Sequence, residues 1–266
     1  MLGCLLIQTA AAGHFAMIDG NPGLRSESAL VVDAEGSVIY GKNPETIMPI
    51  ASITKLMTAM VIIDWGLDLE DKVTVTRQDR DLIQLTGSRL EYGASLSRRQ
   101  MIMLAVMASE NRAATVLGRT VPGGMAAFVT RMNEKAAALG MEDSHFADPA
   151  GLSVENRSTA RDLVRMTQAA YDYPLIRKAS TTQRLEVRPY ARRGPLVYGN
   201  TNRLLKNSKW DISVSKTGYI MEAGRCLVMQ AMIDGESVFI VLLNSYGKLT
   251  PFGDSNRLMN WMLDGS

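Results

Sequence analysis

The spacing of apolar residues changes twice along the chain. Near the amino end, two alternating runs on either side of 34–36 predict a β-hairpin over 28–42. From 52 to about 133 the apolar residues recur at helical spacing, most clearly at Ile53, Leu56, Met57, Met60 and Val61. A short strand is expected at 72–76, and further helices at 98–107, at 124–138 before Gly140, and from 159 to about 171. The alternation of apolar and polar residues that is typical of strands returns at 184–190, 212–217, 225–233 and 238–244. A last helix is expected at 252–262.

This order of strands, helices, strands and a last helix predicts a mixed α/β fold of the α+β type. One antiparallel sheet would be built from both ends of the chain, with a mainly helical region inserted at about 52–175. We expect one domain over 26–266, and a cleft at the seam between the sheet and the helices.

Residues 1–25 are expected to be a signal-peptide remnant or a disordered amino terminus. The apolar stretch 2–12 ends in three alanines, as a secretory signal does before its cleavage site, although the basic region is missing. Lipidation at Cys4 is disfavoured because no hydrophobic segment precedes it. We expect no transmembrane segment, since the longest apolar runs elsewhere are too short to cross a bilayer.

Charge and composition exclude several kinds of function. With 29 basic against 27 acidic side chains and a net charge of +2, the chain is not expected to bind nucleic acid. His14, His145, Cys4 and Cys226 lie far apart in the sequence, so we expect no metal site and no cofactor. With two histidines only, a hydrolase would need another general base.

Ser52 and Lys55 lie three residues apart at the start of the best-defined helix, so their side chains share a face. The helix beyond Lys55 is apolar nearly all round, and burial there favours a neutral amine that can act as a base for Ser52. The competing interpretation, equally good from these residues alone, makes Ser52 a helix cap and lets Lys55 reach solvent.

Two further polar motifs occur once each. Ser109-Glu110-Asn111 follows an apolar helix, where its side chains could project into a cleft, although a polar helix end is by itself the better explanation. Lys216-Thr217-Gly218 ends a strand, and alternation places Ile212, Val214 and Lys216 on the apolar face. Gly218 leaves the backbone bare for an extended peptide to pair with, but a simple turn is the common alternative.

Together, Ser52-Ile53-Thr54-Lys55, Ser109-Glu110-Asn111 and Lys216-Thr217-Gly218 resemble the motif set of penicillin-binding proteins and serine β-lactamases. The chain is most similar to the D-alanyl-D-alanine endopeptidase subgroup of the low-molecular-mass penicillin-binding proteins. The resemblance extends to the segments 49–52, 108–114, 148–152, 158–163, 173–176, 200–204 and 223–229. It implies a β-lactamase/transpeptidase-like fold with a five-stranded antiparallel sheet.

The resemblance also implies roles for individual residues. Ser52 would be the nucleophile, Lys55 would take its proton, and Ser109 would pass a proton to the leaving amine. The implied substrate-binding residues are Asn111, Lys216, Thr217, Gly218 and Tyr219. The backbone N–H groups of Ser52 and Tyr219 would form the oxyanion hole.

The resemblance thus implies a periplasmic serine hydrolase that cuts D-alanyl-D-alanine cross-links in peptidoglycan, binds β-lactam antibiotics covalently and acts as a monomer. A carboxypeptidase is an alternative, disfavoured because Thr201 stands where those relatives have an arginine, although Arg203 lies nearby. A serine β-lactamase is disfavoured because Glu155 is followed four residues later by Thr159 and not by asparagine. A catalytically silent cell-wall binding protein is the non-enzymatic alternative.

Overall fold

A computed structural model describes residue 15 and residues 18–265. Most of the predicted signal remnant, together with Cys4 and His14, lies outside the described residues. Within them, no helix is both long and apolar enough to cross a membrane.

Strands from both ends of the chain form the central sheet. In chain order the strands are β1 (Ser28–Asp33), β2 (Val38–Lys42), β3 (Met48–Pro49), β4 (Lys72–Thr74), β5 (Ser95–Ser97), β6 (Arg157–Ser158), β7 (Arg184–Val187), β8 (Leu196–Gly199), β9 (Asp211–Ile220), β10 (Gly224–Ile233) and β11 (Glu236–Ser245). The five-stranded antiparallel sheet has the order β2-β1-β11-β10-β9, which leaves β9 at an edge. Three two-stranded sheets pair β3 with β6, β4 with β5, and β7 with β8.

Helices cover both faces of this sheet. They are α1 (Thr54–Asp64), α2 (Arg98–Met107), α3 (Asn111–Arg119), α4 (Gly124–Ala138), α5 (Ala160–Tyr171), α6 (Pro174–Thr181) and α7 (Thr250–Gly265). On one face, Val228 and Val241 belong to the core shared with α1, α2 and α5. On the other face, Leu227 and Leu242 pack with Leu258 of α7. The alternation of the strands therefore supplies two separate cores.

The predicted fold class is confirmed, and most predicted elements are present. The limits of α2 and α4 agree with those expected from the sequence, and Gly140 has the left-handed φ of +68° that ends α4. Thr159 caps α5 by accepting a hydrogen bond from the backbone N–H of Asp162. The sequence did not single out α3, α6 or β8, which are short, with nine, eight and four residues.

One predicted face is wrong. Alternation placed Ile212 beside Val214 and Lys216, but the register of β9 against β10 shifts between the partners of Val214 and Ile212. This bulge turns Ile212 to the α7 side, while Val214 stays in the core under the helices. Lys216 is buried as predicted, at 1% exposure.

Candidate active site

Ser52 lies in a 3₁₀ turn, Ala51–Ile53, directly before α1. Ala51 has the left-handed φ of +47°, which is strained for a residue with a side chain. Strand β9 packs directly on this turn, because a Cβ on Gly218 would lie 2.9 Å from the carbonyl oxygen of Ile50 and 3.2 Å from the backbone nitrogen of Ser52. The bare backbone at Gly218 therefore serves the close packing of β9 on the nucleophile turn.

The helix-cap interpretation of Ser52 is wrong. The residue at the cap position of α1 is Ile53, and no side chain caps the helix. Instead, the hydroxyl oxygen of Ser52 accepts a hydrogen bond from Nζ of Lys55 at 2.6 Å.

Lys55 is fully buried and does not reach solvent. Besides Ser52, its Nζ donates to Oδ1 of Asn111 at 2.8 Å and to the carbonyl oxygen of Ala150 at 2.5 Å. Burial lowers the pKa of Lys55 to about 7, and the more distant carboxylates of Asp148, Glu110 and Asp81 offset the effect of burial only in part. A neutral amine is therefore available near neutral pH, and it lies within hydrogen-bond reach of the Ser52 hydroxyl.

A loop that the sequence did not connect with the site supplies the Ala150 carbonyl. The carboxylate of Asp148 accepts hydrogen bonds from the backbone N–H groups of 150–153 and from the side chain of Asn156. Gly151 has a φ of +74°, and a Cβ there would lie 2.0 Å from the carbonyl oxygen of Ala51. The Asp-Pro-x-Gly turn pattern was the available signal, but it did not reveal which atom the turn presents.

Ser109 and Asn111 lie between α2 and α3. Ser109 follows the end of α2 with a φ of +58°, a left-handed position that usually holds glycine. Glu110 caps α3 through the N–H of Arg112, and this places Asn111 in the first turn of that helix. Within the described part of the chain, the hydroxyl of Ser109 has no hydrogen-bond partner, so it is free to contact a ligand.

The Lys216 motif forms the opposite wall. Nζ of Lys216 donates to the carbonyl oxygen of Thr217 at 2.8 Å, and the hydroxyl of Thr217 donates to that of Thr201 at 2.7 Å. The pKa of Lys216 lies well below its ordinary value, mainly because the amine is buried and secondly because of the charge of Lys55. The Tyr219 ring is half exposed and lies 3.5 Å from the guanidinium carbon of Arg225.

A cleft of about 860 Å³ brings the predicted residues together. Its lining includes Ser52, Ser109, Asn111, Thr217, Gly218 and Tyr219. Lys55 and Lys216 are buried behind this surface. The charged residues of the lining are all basic, namely Arg203, Lys206, Arg225 and Lys248. The cleft is therefore suited to an anionic ligand.

Two other kinds of group were considered from the sequence, a cysteine thiol and a metal site. Cys226 borders the cleft, but burial raises the pKa of its thiol to about 11, so the thiolate is scarce at neutral pH. In the described residues, no three histidine, cysteine, aspartate or glutamate side chains group as metal ligands would.

The sequence model of the D-alanyl-D-alanine carboxypeptidase family matches residues 16–247. The chain belongs to this family. A D-alanyl-D-alanine endopeptidase of Pseudomonas aeruginosa is 45% identical over 243 residues, which cover 91% of this chain and 78% of that protein. An Escherichia coli protein of the same name is 41% identical over 259 residues, covering 97% of this chain and 84% of its own.

Solved structures of relatives share the fold. The DD-transpeptidase of Streptomyces K15 superposes with a TM-score of 0.85 at 26% identity, covering 92% of this chain and all of that one. The cefotaxime-bound penicillin-binding protein D2 of Listeria monocytogenes superposes with a TM-score of 0.80 at 27% identity and the same coverage. Membership of the D-alanyl-D-alanine carboxypeptidase family thus confirms the predicted serine peptidase class.

Proposed function

We propose that this member of the family is a serine D-alanyl-D-alanine endopeptidase that hydrolyses peptide cross-links in peptidoglycan. The observation that carries the proposal is the buried Lys55 amine, with a pKa of about 7, bound at 2.6 Å to the Ser52 hydroxyl. Endopeptidase activity is favoured over carboxypeptidase activity by the names of the relatives at 45% and 41% identity.

In the proposed reaction, Lys55 takes the proton of Ser52 as the serine oxygen bonds to the carbonyl carbon of a D-alanyl residue. The backbone N–H groups of Ser52 and Tyr219 stabilise the oxyanion. Their pairing is supported by the close packing of β9 on the Ser52 turn, since a Cβ on Gly218 would lie 3.2 Å from the backbone nitrogen of Ser52. The C–N bond then breaks, and Ser109 passes a proton to the leaving amine. Water hydrolyses the resulting ester, which restores Ser52 and releases a carboxylate.

The walls of the cleft would hold the two peptides of the cross-link. Asn111 binds the peptide on the helical side, while 216–219 pair with it along the open edge of β9. The basic lining suits the carboxylates that such peptides carry. Thr201 is engaged by Thr217, so among the residues considered for a terminal carboxylate only the exposed Arg203 remains available.

A β-lactam would acylate Ser52 in the same way, because its strained amide replaces the peptide bond. Rapid release of that ester, as in a β-lactamase, is disfavoured. Glu155 is exposed and paired with Arg157, and no described carboxylate is hydrogen-bonded to the Ser52 hydroxyl. We further propose that the protein acts in the periplasm as a monomer.

Intact-mass analysis after incubation with benzylpenicillin tests the nucleophile. Wild type should gain the mass of one penicillin, and Ser52→Ala should gain none. The absence of an adduct on wild type would favour the catalytically silent alternative, and an adduct on Ser52→Ala would exclude this serine as the nucleophile.

Digestion of cross-linked muropeptides tests the substrate. We expect loss of dimers without release of terminal D-alanine. Release of D-alanine alone would identify a carboxypeptidase, and fast turnover of a chromogenic cephalosporin would identify a β-lactamase.

A further inference from the structure

A short exposed loop at 81–86 is connected to the active site by hydrogen bonds. The carboxylate of Asp81 closes the loop, since it accepts from the backbone N–H groups of Ile83, Gln84 and Thr86 at 2.8, 3.0 and 2.8 Å. Leu82 is 73% exposed, so the loop is held here by polar contacts and not by an apolar core. Its conformation therefore depends on one carboxylate.

The hydroxyl of Thr86 makes two hydrogen bonds, one within the loop and one to the active site. It donates its single proton to Oδ2 of Asp81 at 2.7 Å, which leaves its lone pairs free to accept from Nδ2 of Asn111 at 2.9 Å. Oδ1 of Asn111 in turn accepts from Nζ of Lys55 at 2.8 Å. The bonded Thr86 hydroxyl has no second proton, and protonated Lys55 has no acceptor, so both bonds require the same orientation of the Asn111 amide.

We propose that Thr86 is a positioning residue for catalysis, which acts through Asn111 to hold Lys55 against Ser52. The inference rests on the proposed function, because it assigns to Lys55 the role of base. Without the Thr86 hydroxyl, the Asn111 amide can rotate, and Lys55 loses one of its three fixed acceptors. Displacement of a catalytic group by about 1 Å can slow a reaction by roughly 100-fold, and a smaller displacement slows it less.

The same loop also contacts the turn that supplies a second acceptor of Lys55. Nε2 of Gln84 donates to the carbonyl oxygen of Leu152 at 3.2 Å, within the turn that presents Ala150 to Lys55. The loop thus touches the supports of two of the three acceptors of Lys55. Thr86 is the direct link, because its hydroxyl is one bond from Asn111.

The test is the acylation kinetics of Thr86→Val with a fluorescent penicillin, measured by stopped flow. Valine keeps the shape of threonine without the hydroxyl. We expect the acylation rate constant to fall about tenfold or more while the dissociation constant of the initial complex stays within about twofold of wild type. Thr86→Ser should restore the rate, and Thr74→Val, the same change at an exposed position on β4, should leave it unchanged.

A double-mutant cycle separates positioning from a general loss of stability. In the Asn111→Ala background, Thr86→Val should have no further effect on the rate, because the residue through which it acts is gone. A wild-type rate in Thr86→Val, failure of Thr86→Ser to rescue, or additive losses in the cycle would each overturn the inference. An unreactive wild-type protein would instead contradict the proposed function.

Discussion

Replacing Lys55 with methionine should change the pH dependence of stability as well as abolish acylation. The ordinary pKa of lysine is 10.5, and that of Lys55 is about 7 because burial penalises the charged form. A tenfold change in proton affinity is worth about 1.4 kcal/mol, so the folded protein gives up about 5 kcal/mol at and below neutral pH to bury this amine. Because the unfolded chain binds the proton more tightly, this cost shrinks as the pH rises from 7 and disappears near 10.5.

Methionine avoids the cost of burying the amine but also removes three hydrogen bonds. The acceptors are Ser52 at 2.6 Å, Asn111 at 2.8 Å and Ala150 at 2.5 Å, and each bond contributes about 1 kcal/mol net at any pH. Lys55→Met should therefore be more stable than wild type by about 2 kcal/mol at pH 7 and less stable by a similar amount at pH 10. The change in the difference, about 4 kcal/mol across three pH steps, does not depend on the hydrogen-bond term.

Urea unfolding followed by tryptophan fluorescence at pH 7, 8, 9 and 10 measures this difference. Lys72→Met, at an exposed lysine, is the control and should differ from wild type by a constant amount. A difference between Lys55→Met and wild type that stays flat with pH would refute the reasoning, since it would mean that Lys55 titrates alike in the folded and unfolded states.

Three further outcomes are expected. The acylation rate constant for penicillin should rise with pH through about 7 and level off above it, because the neutral Lys55 amine is the base. At pH 5.5 the rate constant should be roughly thirtyfold below its plateau. A rate constant that does not change with pH would exclude this role for Lys55. Gly151→Ala should lower the free energy of unfolding by about 3 kcal/mol or more in urea titrations, since the new Cβ would meet the carbonyl oxygen of Ala51 at 2.0 Å. Gly194→Ala is the control, because nothing lies within 4 Å of the new Cβ, and it should lower the free energy of unfolding by less than about 1 kcal/mol. An equal loss in Gly151→Ala and Gly194→Ala would contradict the packing argument. Asp148→Ala should lower the free energy of unfolding by about 3 kcal/mol and slow acylation, because it frees the turn that faces Lys55. Wild-type acylation kinetics in this variant would show that the turn keeps its conformation without the Asp148 carboxylate.

The sequence alone determined the order of most elements and the apolar character of α1, but it left open whether Lys55 is buried or reaches solvent. Helical periodicity through Leu56, Met60 and Val61 is a local property, and it predicts that α1 is surrounded by other parts of the protein. Strand alternation likewise predicted that Lys216 is buried, whereas the position of β9 at the edge of the sheet is known only from the structure.

Only the tertiary structure decided what surrounds that lysine. The Ala150 carbonyl lies 95 residues from Lys55 in sequence and Asn111 lies 56 residues away, so no periodic pattern connects them. The bulge that turns Ile212 away from Lys216, and the contact that requires glycine at 218, likewise depend on how β9 meets its neighbours. Periodicity decides which side of an element is buried, because burial depends on the apolar area of that side. Hydrogen-bond partners across loops are fixed by the path of the backbone, which is set once those buried sides have packed together.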